Sequence, residues 1–176
     1  VMLHASPGSS RQLESLMVKM AKKFNVIAPD TLGNGDSVPP EQNQPEIVDY
    51  AHATLASIDI LGIKEFKLYG THTGARIACK IALMVPDRVN RLILDGFGLY
   101  TPKDLDTILK VYAPEMTPDQ QGVYVMQAWQ FCRDQMLWFP WYRRDANCRV
   151  PHDLPDEEFL YHRFIEILKS LRTYHK

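Results

Sequence analysis

The sequence predicts an α/β fold, a parallel sheet followed by a helical region, and three observations predict it. In the first hundred residues, short apolar runs of strand length alternate with stretches whose apolar residues recur with a 3.6-residue period. Strand–helix–strand repetition implies parallel strands with helices packed on the sheet. After Tyr100 the alternation stops and three helical stretches follow. Residues 1–100 therefore read as a partial α/β core and residues 101–176 as a helical cap region.

The elements follow in order. Val1-Met2-Leu3 reads as a strand already under way, so the natural start is expected upstream. It runs into the loop His4-Ala5-Ser6-Pro7-Gly8-Ser9-Ser10. A helix with Leu13, Leu16, Met17, Met20 and Phe24 on one face comes next, then a second strand at Val26-Ile27-Ala28. A glycine-rich loop extends from Pro29 to about Gln44. Pro45 opens a helix with the stripe Ile47, Val48, Ala51, Leu55, Ile58 and Leu61. Phe66 to Tyr69 is the third strand, Gly70 to Gly74 a tight turn, and Ala75 to Val85 a helix stopped by Pro86. Val89 to Leu94 is the fourth strand, ending at Asp95-Gly96. The helical stretches beyond are Pro102–Tyr112, Pro118–Phe139 and Pro155–Tyr174. In such sheets a site lies at the carboxyl ends of the strands, and the loops at 4–10 and 70–74 both follow a strand's end.

Composition narrows the function. Hydrophobic residues are 45% and charged residues 23% of the 176, an ordinary globular balance. A net charge of -1 favours neither nucleic acid nor an anionic membrane as partner. No apolar run is long enough to cross a bilayer. Cys79, Cys132 and Cys148 form no paired framework, which fits a reducing, cytoplasmic setting. Cys79, in an apolar helical stretch, reads as a small core residue.

Three short motifs carry chemistry. His4-Ala5-Ser6-Pro7-Gly8-Ser9 has the form His-Gly-x-Pro-Gly-Ser, with alanine in place of the first glycine. Asp30-Thr31-Leu32-Gly33-Asn34-Gly35-Asp36-Ser37 is a full match to Asp-x-x-Gly-x-Gly-x-Ser. Gly70-Thr71-His72-Thr73-Gly74 has the form of the strand-to-helix elbow Gly-x-Ser-x-Gly, with histidine at the central position. Together, in this order and within a parallel α/β pattern, they resemble the α/β-hydrolase superfamily. The resemblance covers about residues 1–100 closely, and beyond that only in position and helical character. It implies the strand order second, first, third, fourth. It also implies that the backbone N–H groups of Ser6 and Thr73 donate to an oxyanion. Asp30 is expected to bond nearby backbone groups, and Gly33 and Gly35 to permit a tight turn.

The pattern breaks at its centre. A serine triad needs serine at the elbow, then an acid and a late histidine, and here His72 stands at the apex. In the family, the strands that carry the acid and histidine come after the cap, and no residue here matches them. His152, His162 and His175 lie in the helical region. Asp95 ends the fourth strand, where some family members place the acid; its plainer reading is a strand-end cap. His72 admits two readings, a general base or nucleophile and a residue that merely fills the apex of a dead site. His4 and His72 offer no third ligand, so no metal is expected and no cofactor is called for. Trp129, Trp138 and Trp141 are candidates to line a substrate pocket, or else form the core of the helical region. The expected function is a hydrolase-like enzyme acting on a small apolar ester, amide or related molecule. The rivals are a non-catalytic small-molecule-binding module and a cofactor-free lyase or oxygenase.

Overall fold

The computed structural model describes residues 1–174, apart from the side chain of Leu109. His175, one of the histidines noted above, lies outside the described residues. The chain divides into two compact units, one spanning Val1–Leu99 and one that begins at Tyr100.

The first unit is a three-stranded parallel sheet: β1 (Met2–Leu3), β2 (Phe66–Thr71) and β3 (Val89–Asp95), in the order β1-β2-β3. Met2 and Leu3 pair with Tyr69 and Gly70, and Thr71 pairs with Asp95. The parallel expectation holds for the first, third and fourth apolar runs. The second run, Val26–Ala28, is not a strand. Its attachment to the sheet is one bond, from the Met2 N–H to the Ile27 carbonyl at 2.8 Å. Pro29, which follows the run, has no N–H to donate to a ladder.

Helices α1 (Glu14–Met20), α2 (Ile47–Ile60) and α3 (Thr73–Met84) complete this unit. The expected apolar face of α1 is only partly used: Leu13 is buried, in a 3₁₀ turn before the helix, whereas Met20 and Phe24 are exposed. The second helix starts after Pro45, at a capping box of Glu46 and Asp49. Ala51, Leu55 and Ile58 are buried as the stripe predicts, but Leu61, at the helix end, is exposed. These residues pack with Leu3, Phe66, Leu68, Ile77, Ala78 and Ile81 in one core. Phe66, Leu68 and Gly70 alternate toward it, and Lys67, Tyr69 and Thr71 take the other face. Cys79 is half-buried rather than a core residue.

The second unit holds α4 (Pro102–Val111), α5 (Val123–Leu137) and α6 (Glu157–Ser170). The middle helix begins five residues later than Pro118, for a local reason. The Asp119 carboxylate accepts from the N–H groups of Gln121, Val123 and Tyr124, and Gly122 sits at φ 74° just before the first turn. Met116, Ala128, Phe131, Cys132, Leu160, Ile167 and Leu171 form this unit's own core. No helix among the described residues is long and apolar enough to cross a membrane.

Candidate functional site

The site is built where β2 meets α3. β2 ends at Thr71 and α3 begins at Thr73, so the whole reversal falls on His72, at φ 48° and ψ -108°. His72 is the only non-glycine residue with positive φ among the described residues. Such a conformation costs a non-glycine residue roughly 1–3 kcal/mol. Its neighbours enforce it. A Cβ on Gly70 would lie 2.2 Å from the Gly74 carbonyl oxygen, and one on Gly74 would lie 2.3 Å from that of Leu3. The His72 N–H donates to the Asp95 carbonyl at 2.8 Å, fastening the apex to the end of β3.

The His72 side chain is exposed, and its ring lies over Gly96, where a Cβ would come within 2.5 Å of Nδ1. Gly96 thus makes room for the imidazole, with the ring's Nδ1–Cε1 edge toward that glycine. The ring nitrogens make no hydrogen bond among the described residues. Asp95 is not their partner. Its carboxylate accepts from the Tyr69 hydroxyl at 2.7 Å. Burial, then this hydrogen bond and the carboxylate charge, push the Tyr69 phenol above its ordinary range.

The loop at 4–10 stands beside this turn, since the α-carbon of Gly74 rests against the carbonyls of Leu3 and His4. Asp30 ties the loop to the second motif, accepting from the Ser10 N–H at 2.7 Å and the Asp36 N–H at 3.0 Å. Burial alone would raise the Asp30 carboxyl, but these bonds outweigh it and hold it below the usual carboxylate range. Gly33 and Gly35 take φ 69° and 55° in the turn between them. Among the described residues the N–H groups of Ser6 and Thr73 have no protein acceptor. Both therefore remain available to an oxyanion or another acceptor at this end of the sheet.

The tryptophans belong to the second unit. Trp129 stands edge-on to Phe164 at 5.4 Å and Trp141 edge-on to Phe131 at 4.7 Å. Arg149 lies over Trp138 at 5.6 Å. All three rings are half-buried among their own unit's side chains. An open groove of about 750 Å³ lies elsewhere, on the sheet face of Lys67, Tyr69 and Ile93, and none of His72, Ser6 and Thr73 lines it. No group of three His, Cys, Asp or Glu among the described residues could hold a metal ion.

Comparison with known proteins identifies the family. The family model described as the alpha/beta hydrolase fold matches residues 1–124. The chain belongs to this family. An α/β hydrolase relative, the 2-hydroxymuconate semialdehyde hydrolase of Pseudomonas sp. (strain CF600), is 38% identical over 102 residues, covering 54% of this chain and 35% of that protein. Haloalkane dehalogenase 2 of Mycobacterium bovis is 28% identical over 104 residues, covering 59% of the chain and 36% of that protein. The chain spans about a third of the length of the curated relatives it matches. Among solved structures, an epoxide hydrolase from an endophytic Streptomyces superposes with a TM-score of 0.70 at 16% identity, covering 99% of this chain and 64% of that one. At that identity the likeness establishes the fold.

Four contributors escaped the sequence reading. Gly96 was legible only as a strand-end residue, because its contact with His72 is long-range. Tyr69, whose place in the strand carries no sign of a partner, engages Asp95. Thr31 and Asn34, in the second motif, are buried polar residues with partners in the first loop. The available signal was that Thr31 and Asn34, two of the motif's four variable positions, are polar.

Proposed function

We propose that this α/β hydrolase hydrolyses a small, largely apolar ester, amide or related carbonyl compound, with His72 as general base. The observation that carries this reading is the tight strand-to-helix turn with a residue other than serine at its positive-φ apex. A histidine is held at φ 48° at the N-terminus of α3, its ring nitrogens without a hydrogen bond among the described residues. In the reaction, His72 takes a proton from water and the hydroxide adds to the carbonyl carbon. The N–H groups of Ser6 and Thr73 stabilise the resulting oxyanion. Collapse breaks the bond to the leaving group, which takes the proton from the imidazolium, so that ester and water become acid and alcohol. A cytoplasmic location belongs to the same proposal and rests on the three free cysteines.

The test is turnover of a panel of p-nitrophenyl esters by the wild type and His72→Ala. The expected result is a loss of kcat of roughly 10²–10⁴-fold, the contribution of one general base. A fluorophosphonate should not label the wild type, because no serine stands at the apex. Labelling at a serine, or full turnover by His72→Ala, overturns the assignment. One observation favours a second reading, a binding module without catalysis: the carboxylate nearest in the chain's logic, Asp95, is held by Tyr69 and does not orient the imidazole. That reading expects no turnover, and ligand binding indifferent to His72→Ala.

A further inference from the structure

The loop at 4–10 and the Asp30 motif are joined by a buried chain of hydrogen bonds that begins and ends on adjacent groups. His4, Thr31 and Asn34 expose 1%, 5% and 4% of their surface. The Ser6 hydroxyl donates to Asn34 Oδ1 at 2.9 Å. The Asn34 amide nitrogen donates to the Leu32 carbonyl at 3.2 Å and to Thr31 Oγ1 at 3.1 Å. The Leu32 carbonyl can only accept, which settles the orientation of the Asn34 amide. The Thr31 N–H donates to His4 Nε2 at 3.0 Å, so Nε2 carries the lone pair and Nδ1 the proton. The Thr31 hydroxyl, 3.3 Å from the same Nε2, turns its proton toward it. His4 Nδ1–H then donates to the Ala5 carbonyl at 2.8 Å.

That last carbonyl belongs to the Ala5–Ser6 peptide, whose other polar group is the Ser6 N–H. The chain therefore holds this peptide twice, through its carbonyl by His4 and through the Ser6 side chain by Asn34. A hydrogen bond to a peptide carbonyl polarises the unit and strengthens its N–H as a donor. Gln12 Nε2 adds a contact to the same carbonyl at 3.3 Å.

We infer that Asn34 is a positioning residue, which through the Ser6 hydroxyl and through Thr31 and His4 sets the direction and donor strength of the Ser6 N–H. The inference rests on the reading of that N–H as an oxyanion donor. It adds a residue that neither touches substrate nor forms part of the invariant frame of its motif. Asp30, which ties Ser10 and Asp36, holds the same two loops independently. Removal of Asn34 should therefore loosen one peptide without releasing the loop.

The experiment uses Ser6→Ala, Asn34→Ala, the double variant and Ser6→Thr in the full chain, with p-nitrophenyl butyrate as probe and amide and imidazole ¹⁵N spectra as a second readout. Each single variant should lower kcat roughly tenfold, a fraction of the 10²–10³ attributed to loss of a whole oxyanion donor, with KM unchanged. The double variant should be no worse than Asn34→Ala, and Ser6→Thr, which keeps the hydroxyl, should restore the rate. The Ser6 amide signal should move in both single variants, and the Nε2 signal of His4 should shift in Asn34→Ala only, within the same Nδ1–H pattern. The Ser10 and Asp36 amides, held by Asp30, should stay in place and report an intact loop. Multiplicative losses in the double variant, or an unmoved Ser6 amide in Asn34→Ala, overturn the inference. A wild type that turns over no ester while the amide signals couple as described removes the proposed function and leaves the positioning role standing. Should Asn34→Ala not fold, Ser6→Ala against Ser6→Thr decides the same question from the other end of the bond.

Discussion

The two units treat their buried polar groups in opposite ways. In the loops of the first unit, Asp30, Thr31, Asn34 and His4 spend their donors and acceptors on one another and on the backbone. In the second unit, Gln135 Oε1, Trp141 Nε1, Glu166 Oε2 and Tyr174 Oη are buried without a hydrogen-bond partner among the described residues. Asp134 and Ser170 are the exceptions there, the buried Asp134 carboxylate paired with Arg144 at 2.5 Å and Arg133 at 3.1 Å and the Ser170 hydroxyl donating to the Glu166 carbonyl at 3.0 Å. The Cys132 thiol shows the apolar character of that interior, since burial pushes it up to about 11. Burial likewise raises the Tyr174 phenol far above its ordinary value. Hydrogen bonds have narrow geometry, so the first unit's loops are specified to a few tenths of an ångström. Edge-to-face aromatic contacts accept a range of distances and tilts, so the second unit tolerates repacking.

Substitutions can break or sharpen this contrast. The largest effect is expected at glycines. Gly74→Ala should cost about 3 kcal/mol or more, because the new Cβ meets the carbonyls of Leu3 and His4, and backbone cannot step aside. Gly122→Ala in the second unit, with φ 74° but open space around it, should cost only about 1–2 kcal/mol. Urea unfolding of the two variants measures both; equal losses would remove the contrast.

Buried polar groups come next. Asn34→Leu should destabilise by roughly 1–3 kcal/mol, since it leaves Ser6 and Thr31 without their partner. Glu166→Met should be neutral or stabilising by about 1 kcal/mol. It removes a buried carboxylate whose Oε2 accepts no hydrogen bond among the described residues and whose approach to Lys169, at 3.6 Å, is long. Thermal melting of both decides; a destabilised Glu166→Met would show that the second unit also depends on its buried charge.

The Asp30 carboxyl predicts a pH dependence of defined sign. Its folded value lies below the ordinary 3.8. The stability it contributes is therefore fully present above about pH 4, the unfolded value. It is lost as pH falls through the folded value, because the unfolded chain binds the proton first. Asp30→Asn should flatten the stability–pH curve in that acid window, and an unchanged curve would contradict the role given to the Ser10 and Asp36 bonds. The smallest effect is expected at Lys110→Ala, which removes an exposed pair with Asp106 worth about 0.3 kcal/mol.

Much of the frame was legible in the sequence for reasons that are local. Parallel pairing follows from strands separated by helical stretches, and the register of β2 follows from its alternation of Phe66, Leu68 and Gly70 against Lys67, Tyr69 and Thr71. The family could be read from three motifs, because each encodes a backbone demand that few residues meet. The turn at His72 is the plainest: small residues on both sides of an apex leave the chain one way to pass from strand to helix. Helix ends were less legible. The start of α5 depends on which carboxylate captures which N–H, and apolar periodicity contains no such information.

By itself, then, the sequence determined the parallel sheet, the helical second region, the family and the apex position of His72, since periodicity and steric demand act between near neighbours. Only the tertiary structure decided that Val26–Ala28 stays outside the ladder and that Asp95 serves Tyr69 rather than the imidazole. It alone decided that Gly96 makes room for the His72 ring and that Asn34 closes a hydrogen-bond chain onto Ser6. These four outcomes turn on contacts between residues 24 to 28 positions apart in the chain, such as the 26 from Tyr69 to Asp95 and the 28 from Ser6 to Asn34. A hydrogen bond is won or lost over less than an ångström, and side-chain distances at that scale exist only once the sheet has assembled.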